Sequence, residues 1–189
     1  PGYGRPTTPH KGGYAMDDGR SFYRVTINAP IHKVWAELTR TDTVLPFFFN
    51  SMCKTTGLTK GAPVRMVSKN GKYAAVVGEV LEFDPPHRYA HTFKFTSLDD
   101  PMCVVRYVLK EVEGGTEFTL ISEGVAPGTK SEKYMTSGSK FIADNLKAWV
   151  ETGRATAGGR FALFMIGLTA FMTSAKCRAE NWPFDRKIS

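Results

Sequence analysis

The sequence predicts an α+β fold, an antiparallel sheet covered on one face by a single long helix near the C-terminus. Three observations carry that expectation: a short β-branched strand followed at once by helical spacing, a run of alternating segments between residues 61 and 123, and one long amphipathic stretch ending at Gly153. At 189 residues, with 42% hydrophobic and 12% aromatic side chains, the chain has the apolar material for one core.

Residues 1–20 are a polar Gly/Pro/Thr stretch without the charged, apolar and small-residue order of a secretion signal. They are expected to be a disordered leader or a cloning remnant, with Met16 a candidate native start. The first strand should begin at Phe22, where Tyr23, Val25 and Ile27 alternate with Phe22, Arg24 and Thr26. Asn28-Ala29-Pro30 then offers a capping residue and a proline near the first helical position. The spacing of Ile31, Val34, Trp35 and Leu38 predicts a helix of about three turns. A second short helical piece is expected from Thr41-Asp42-Thr43, ended by Pro46 before the loop run Phe47-Phe48-Phe49.

Strands are then expected over residues 62–68, 72–83, 88–97, 102–112 and 116–123. Asn70-Gly71, Asp84-Pro85-Pro86 and Glu113-Gly114-Gly115 punctuate them. Alternation puts Tyr89, His91, Phe93 and Phe95 on one face with Cys103, Val105, Tyr107 and Leu109, then Phe118, Leu120 and Ser122. The other face carries Arg106, Lys110, Glu117 and Glu123 and is expected to be wet. Ser131 or Thr129 can cap a long helix with Tyr134, Gly138, Phe141, Ile142, Asn145, Leu146 and Trp149 on its inner stripe, stopping at Gly153. The expected division is therefore a leader over 1–20, a domain over 21–153 and a helical extension over 154–189.

The formal net charge is +7, but residues 153–189 hold Arg154, Arg160, Lys176, Arg178, Arg186 and Lys187 against only Glu180 and Asp185. The excess sits in the extension, and no basic stripe interleaves with aromatics, so nucleic acid is not an expected partner. Cys53, Cys103 and Cys177 are odd in number and far apart, which argues against a disulfide framework and for a reducing cytoplasm.

The order of strand, short helices, meander and long helix coincides with specific motifs. Ala29-Pro30 with Lys33-Val34-Trp35, Gly78-Glu79-Val80-Leu81-Glu82 with Asp84-Pro85-Pro86, Gly115-Thr116, and Asn145-Leu146-Lys147 with Glu151-Thr152-Gly153 together span residues 22–153. On these the chain resembles the SRPBCC (START/Bet v-like) superfamily, in the branch of activator of Hsp90 ATPase homologues. The resemblance implies a helix-grip fold: a curved antiparallel sheet wrapped around a long C-terminal helix, with two short helices after the first strand and a cavity between sheet and helix. Relatives of this kind bind hydrophobic ligands, act as polyketide-type cyclases or activate a chaperone, so the fold alone does not choose. The residues beyond Gly153 resemble the C-terminal tails of some bacterial members.

The aromatic faces that converge on the cavity make Phe48, Tyr89, His91, Phe93, Phe95, Tyr107, Phe118, Phe141, Ile142, Asn145 and Trp149 the candidate ligand-binding residues. His91 and Tyr107 are the candidates for acid–base catalysis, set against the plain alternative of core groups bonded to neighbours. Cys103 reads as packing rather than as a nucleophile, and at most one of Glu79 and Glu82 should face inward, which one being open. His10, His32, His87 and His91 are not at ligand spacing with acids or cysteines, and no phosphate-cradling loop is present; neither a metal nor another cofactor is expected.

Residues 161–175 are apolar nearly all round but shorter than the roughly 20 residues needed to cross a bilayer. Such a helix should bury itself, first against its own domain or a second copy, then at a membrane surface. It could also gate the cavity mouth. The leading expectation is binding of a hydrophobic small molecule; the alternatives are a cyclase- or hydrolase-like enzyme and a chaperone-activating interaction module.

Overall fold

The computed structural model describes residues 13–17, 19–169, 173–186 and 188. Among these, nine strands make one antiparallel sheet: β1 Gly13–Asp17, β2 Arg20–Ile27, β3 Val44–Leu45, β4 Ser51–Thr55, β5 Pro63–Val67, β6 Ala74–Asp84, β7 Arg88–Phe95, β8 Cys103–Val112 and β9 Gly115–Glu123. Their order is β1-β2-β9-β8-β7-β6-β5-β4-β3. The three α-helices are α1 Ile31–Leu38, α2 Lys130–Thr152 and α3 Ala157–Thr169. The sheet curls around α2, an α+β helix-grip architecture.

β1 pairs along β2, so ordered structure begins before Phe22 and the expected leader does not reach residue 20. An edge strand needs only its neighbour's backbone, and its sequence carries no apolar alternation to announce it. Residues 1–12 of the expected leader lie outside the described residues. In β2, Tyr23, Val25 and Ile27 are buried as the alternation requires. α1 buries Ile31, Val34, Trp35 and Leu38, but it has eight residues, begins after Pro30 and has no side-chain cap. Asn28 does not cap it; its N–H donates to Glu151 Oε1 at 2.6 Å and ties the chain to α2.

The stretch after α1 departs from expectation. Residues 41–43 are not helical, and Asp42 adopts φ 59°. The second helical piece is a single 3-10 turn, Pro46–Phe48, which Pro46 opens rather than ends. A proline has no N–H to satisfy, so the first helical position suits it. β3 and β4 flank this turn and pair with each other.

A β-bulge between Val80 and Glu82 decides the orientation of the two glutamates. The extra residue keeps Val80 inside while Glu79 is exposed and Glu82 turns to the outer face. There Glu82 pairs with Arg106, and with Arg88 at 3.1 Å. Neither glutamate faces the interior, in keeping with the expectation that at most one would. α2 starts at Thr129, whose hydroxyl accepts from Glu132 N–H at 3.2 Å, and ends at Gly153 with φ 71°. Its buried ridge is Ser131, Met135, Ser139, Ile142, Leu146 and Val150, rotated from the expected stripe, so that Tyr134 is exposed.

α3, the first part of the extension, is not buried against its own domain, which corrects one of the two first-ranked expectations, the other being packing against a second copy. Phe161, Phe164, Met165, Ile166 and Leu168 of α3 are exposed. The residues after it return to the outer sheet face, where Trp182 packs with Val67, Ala74 and Val77. Arg65 of β5 is buried beneath them. Its Nε donates to Trp182 O at 3.0 Å and its Nη2 to Pro183 O at 3.0 Å. No described helix is long and apolar enough to cross a membrane.

Candidate functional site

Between α2 and the concave face of the sheet the core opens into a cavity of about 440 Å³. β5 to β9 supply Met66, Ala75, Val76, His91, Phe93, Phe95, Val105, Tyr107 and Leu120. α2 contributes Tyr134, Met135, Ser137, Gly138, Ser139, Phe141 and Ile142, and the 3-10 turn with the start of β4 adds Phe48, Phe49 and Ser51. None of these lining side chains is a carboxylate, lysine or arginine.

The polar feature of the sheet wall is the pair His91 and Tyr107. His91 Nδ1 lies 2.8 Å from Thr92 O, and a carbonyl only accepts, so Nδ1 carries the proton and Nε2 presents a lone pair. Tyr107 Oη is 3.4 Å from that Nε2. Burial lowers the His91 pKa to about 4 against the raising effect of the Thr92 carbonyl, and burial raises that of Tyr107 beyond the usual phenol range. Both groups are therefore neutral at pH 7.

Gly78 makes the arrangement sterically feasible. Between the pairs Val77↔Lys94 and Val80↔His91, Glu79 N–H donates to Thr92 Oγ1 at 2.9 Å, and the Thr92 carbonyl accepts from His91. A Cβ on Gly78 would stand 1.8 Å from Thr92 O.

Aromatic contacts build the rest of the wall. Tyr89 lies behind His91 and Tyr107, with ring centroids 5.3 and 5.5 Å away, and Phe48 meets Tyr107 edge-on at 6.1 Å. At the mouth Phe49 stacks on Phe141 at 4.2 Å, opposite Gly138, and Phe95 meets Tyr134 at 5.7 Å. Cys103 and Cys53 are buried, and burial pushes both thiols up to about 11, which removes them as nucleophiles at neutral pH. Among the described residues no cluster of three or more histidine, cysteine or acidic side chains could hold a metal ion.

Residues 28–151 match the family model described as activator of Hsp90 ATPase homolog 1-like protein. The chain belongs to this family. Its family fold recurs in CalU16 from Micromonospora echinospora, at 18% identity and TM-score 0.55, over 86% of this chain and 96% of that one. DynU16, a protein of the dynemicin biosynthetic locus, is similar at 22% identity and TM-score 0.59, over 74% of this chain and 49% of that one. The dimeric Aha1 from Colwellia psychrerythraea is similar at 17% identity and TM-score 0.58, over 71% of this chain and 97% of that one. No curated protein matches the chain.

Within this Hsp90 ATPase activator homologue-like fold, Phe48, His91, Phe93, Phe95, Tyr107, Phe141 and Ile142 all line the cavity, as the sequence leads one to expect. Four other candidates do not. Tyr89 is one layer behind the wall, and Phe118, fully buried, stacks on Tyr107 at 6.1 Å. Trp149 Nε1 donates to Glu37 Oε2 at 2.9 Å and joins α2 to α1. Asn145 accepts through Oδ1 from Thr156 N–H and Oγ1–H, both at 3.0 Å, and holds the corner into α3. Met66, Val76, Met135 and Ser139 were missed because their faces depend on strand pairing and helix rotation; Phe49 was signalled by the apolar run 47–49, and Val105, Leu120, Tyr134 and Gly138 by their place on the inner face or stripe. No described residue of α3 is among the cavity-lining side chains, and Phe171 and Met172, part of the segment expected to gate the mouth, lie outside the described residues.

Proposed function

We propose that the chain binds a neutral, largely apolar small molecule in the cavity, with one hydroxyl or carbonyl group placed against His91 and Tyr107. The observation that carries this reading is a cavity of about 440 Å³ whose lining includes no charged side chain and whose sheet wall holds one neutral donor–acceptor pair. That volume is in the range of small-molecule sites. A carboxylate ligand would lose its hydration without gaining a cation, so fatty acids are disfavoured against neutral polycyclic or aromatic molecules. The test is native mass spectrometry of the purified full chain, followed by displacement of a neutral hydrophobic fluorophore. Binding weakened several-fold by Tyr107→Phe supports the reading, whereas an empty protein that takes up no probe overturns it.

A second reading, acid–base catalysis by the same pair, draws on their mutual contact at the wall. The direction of their pKa shifts opposes it: a neutral His91 near pH 7 has no proton to give and is a weak base. Family membership brings a third reading, contact with the Hsp90 chaperone, tested by co-purification with that chaperone. The three buried free cysteines support placement in a reducing cytoplasm.

A further inference from the structure

α3 is anchored at its start and presents an apolar stripe to solvent, and the described residues 175–183 beyond it are held to the sheet. At its start Asn145 Oδ1 grips Thr156, and Gly159 packs so close that a Cβ would stand 2.0 Å from that oxygen. Beyond its end, Lys176 Nζ pairs with Asp99 at 2.7 Å, Arg178 bridges to Tyr73, and Arg65 holds the carbonyls of Trp182 and Pro183. The Asn145 corner fixes where the helix starts. Nevertheless Phe161, Phe164 and Leu168, at the i, i+3, i+7 positions of one stripe, are 67%, 62% and 54% exposed.

The charged side chains of the segment that carries the stripe are of one sign. Residues 152–179 contain no aspartate or glutamate, and Arg154 and Arg160 stand exposed at the N-terminal end of α3. A second copy, itself carrying +7, would bring arginine against arginine at such an interface. An anionic lipid surface meets both features, because acyl chains take the apolar stripe and phosphates take the guanidinium groups. At 13 residues the helix is about 20 Å long, too short to cross a hydrocarbon core of roughly 30 Å, so it would lie in the interface.

We propose that α3 is a membrane-surface docking helix that sets Phe161, Phe164 and Leu168 into the headgroup boundary of an anionic bilayer, with Arg154 and Arg160 at phosphate level. This surface is separate from the cavity, and its docking does not depend on the small-molecule reading. The experiment is co-sedimentation of the full-length protein with vesicles of phosphatidylcholine alone or mixed with phosphatidylglycerol. The expected result is binding to the mixed vesicles that falls with added salt and drops about fivefold in Arg160→Gln. The double variant Phe161→Ser, Phe164→Ser should lose on the order of a hundredfold while keeping its thermal transition. Absence of binding to either vesicle overturns the proposal, as does binding with no preference for the anionic lipid. So does a dimer in sedimentation velocity that the same two serine substitutions dissolve, since α3 would then be an interface between copies. Should the double variant fail to fold, Arg160→Gln and the salt titration decide.

Discussion

His91→Phe tests whether the cavity wall is as dry as the structure implies. In the unfolded chain an imidazole titrates near pH 6.5, whereas in the fold burial holds His91 at about 4. Between those values the unfolded chain binds the proton and the folded one does not, so stability falls as pH falls through that window. Above about pH 6.5 both states are deprotonated and this residue adds no pH dependence. A gap of about 2.5 pH units corresponds to a loss of about 3 kcal/mol, most of it reached by about pH 4.5. The phenylalanine preserves an aromatic ring beside Tyr89 and Phe93 but cannot titrate. Urea unfolding of both proteins from neutral to mildly acidic pH gives the comparison. The wild type should lose about 3 kcal/mol more than the variant, the carboxylates that titrate in the same range being common to both. Parallel curves would mean that His91 accepts its proton in the folded state, and the dry neutral pair would be refuted.

Other substitutions probe the supporting structure. Gly78→Ala drives a Cβ into the Thr92 carbonyl and should cost about 3 kcal/mol in urea unfolding; a cost near zero would show that the β6–β7 ladder relaxes freely. Arg65→Met removes the donors to the Trp182 and Pro183 carbonyls and should speed proteolysis within residues 173–186, with a stability loss of about 2 kcal/mol; unchanged cleavage would deny Arg65 its anchoring role. Val76→Phe puts a ring into open volume, so it should weaken probe binding on the order of tenfold while stability stays within about 1 kcal/mol; full binding would place the probe elsewhere.

What the sequence determined by itself was local. The alternation in β7, β8 and β9 put His91, Phe93, Phe95 and Tyr107 on one face because the pleat is a two-residue property of the backbone. The ends of α2 were legible for the same reason: Thr129 and Gly153 act on groups within one turn of themselves. The tertiary structure decided everything that depends on a distant partner. Asn145 turned out to hold a corner because Thr156 comes back to it, and Trp149 to brace α1 because Glu37, 112 residues away, accepts its N–H. The stripe of α2 that lines the cavity follows from how the helix lies on the curled sheet, and the outward turn of Glu82 from one bulge in a register that no local pattern encodes. Arg65, on which the sequence pattern was silent, is a buried anchor because residues 182–186 fold back over it, about 117 positions along the chain. Side-chain period is set by covalent geometry, whereas burial and polarity are set by whichever remote segment arrives to cover the position.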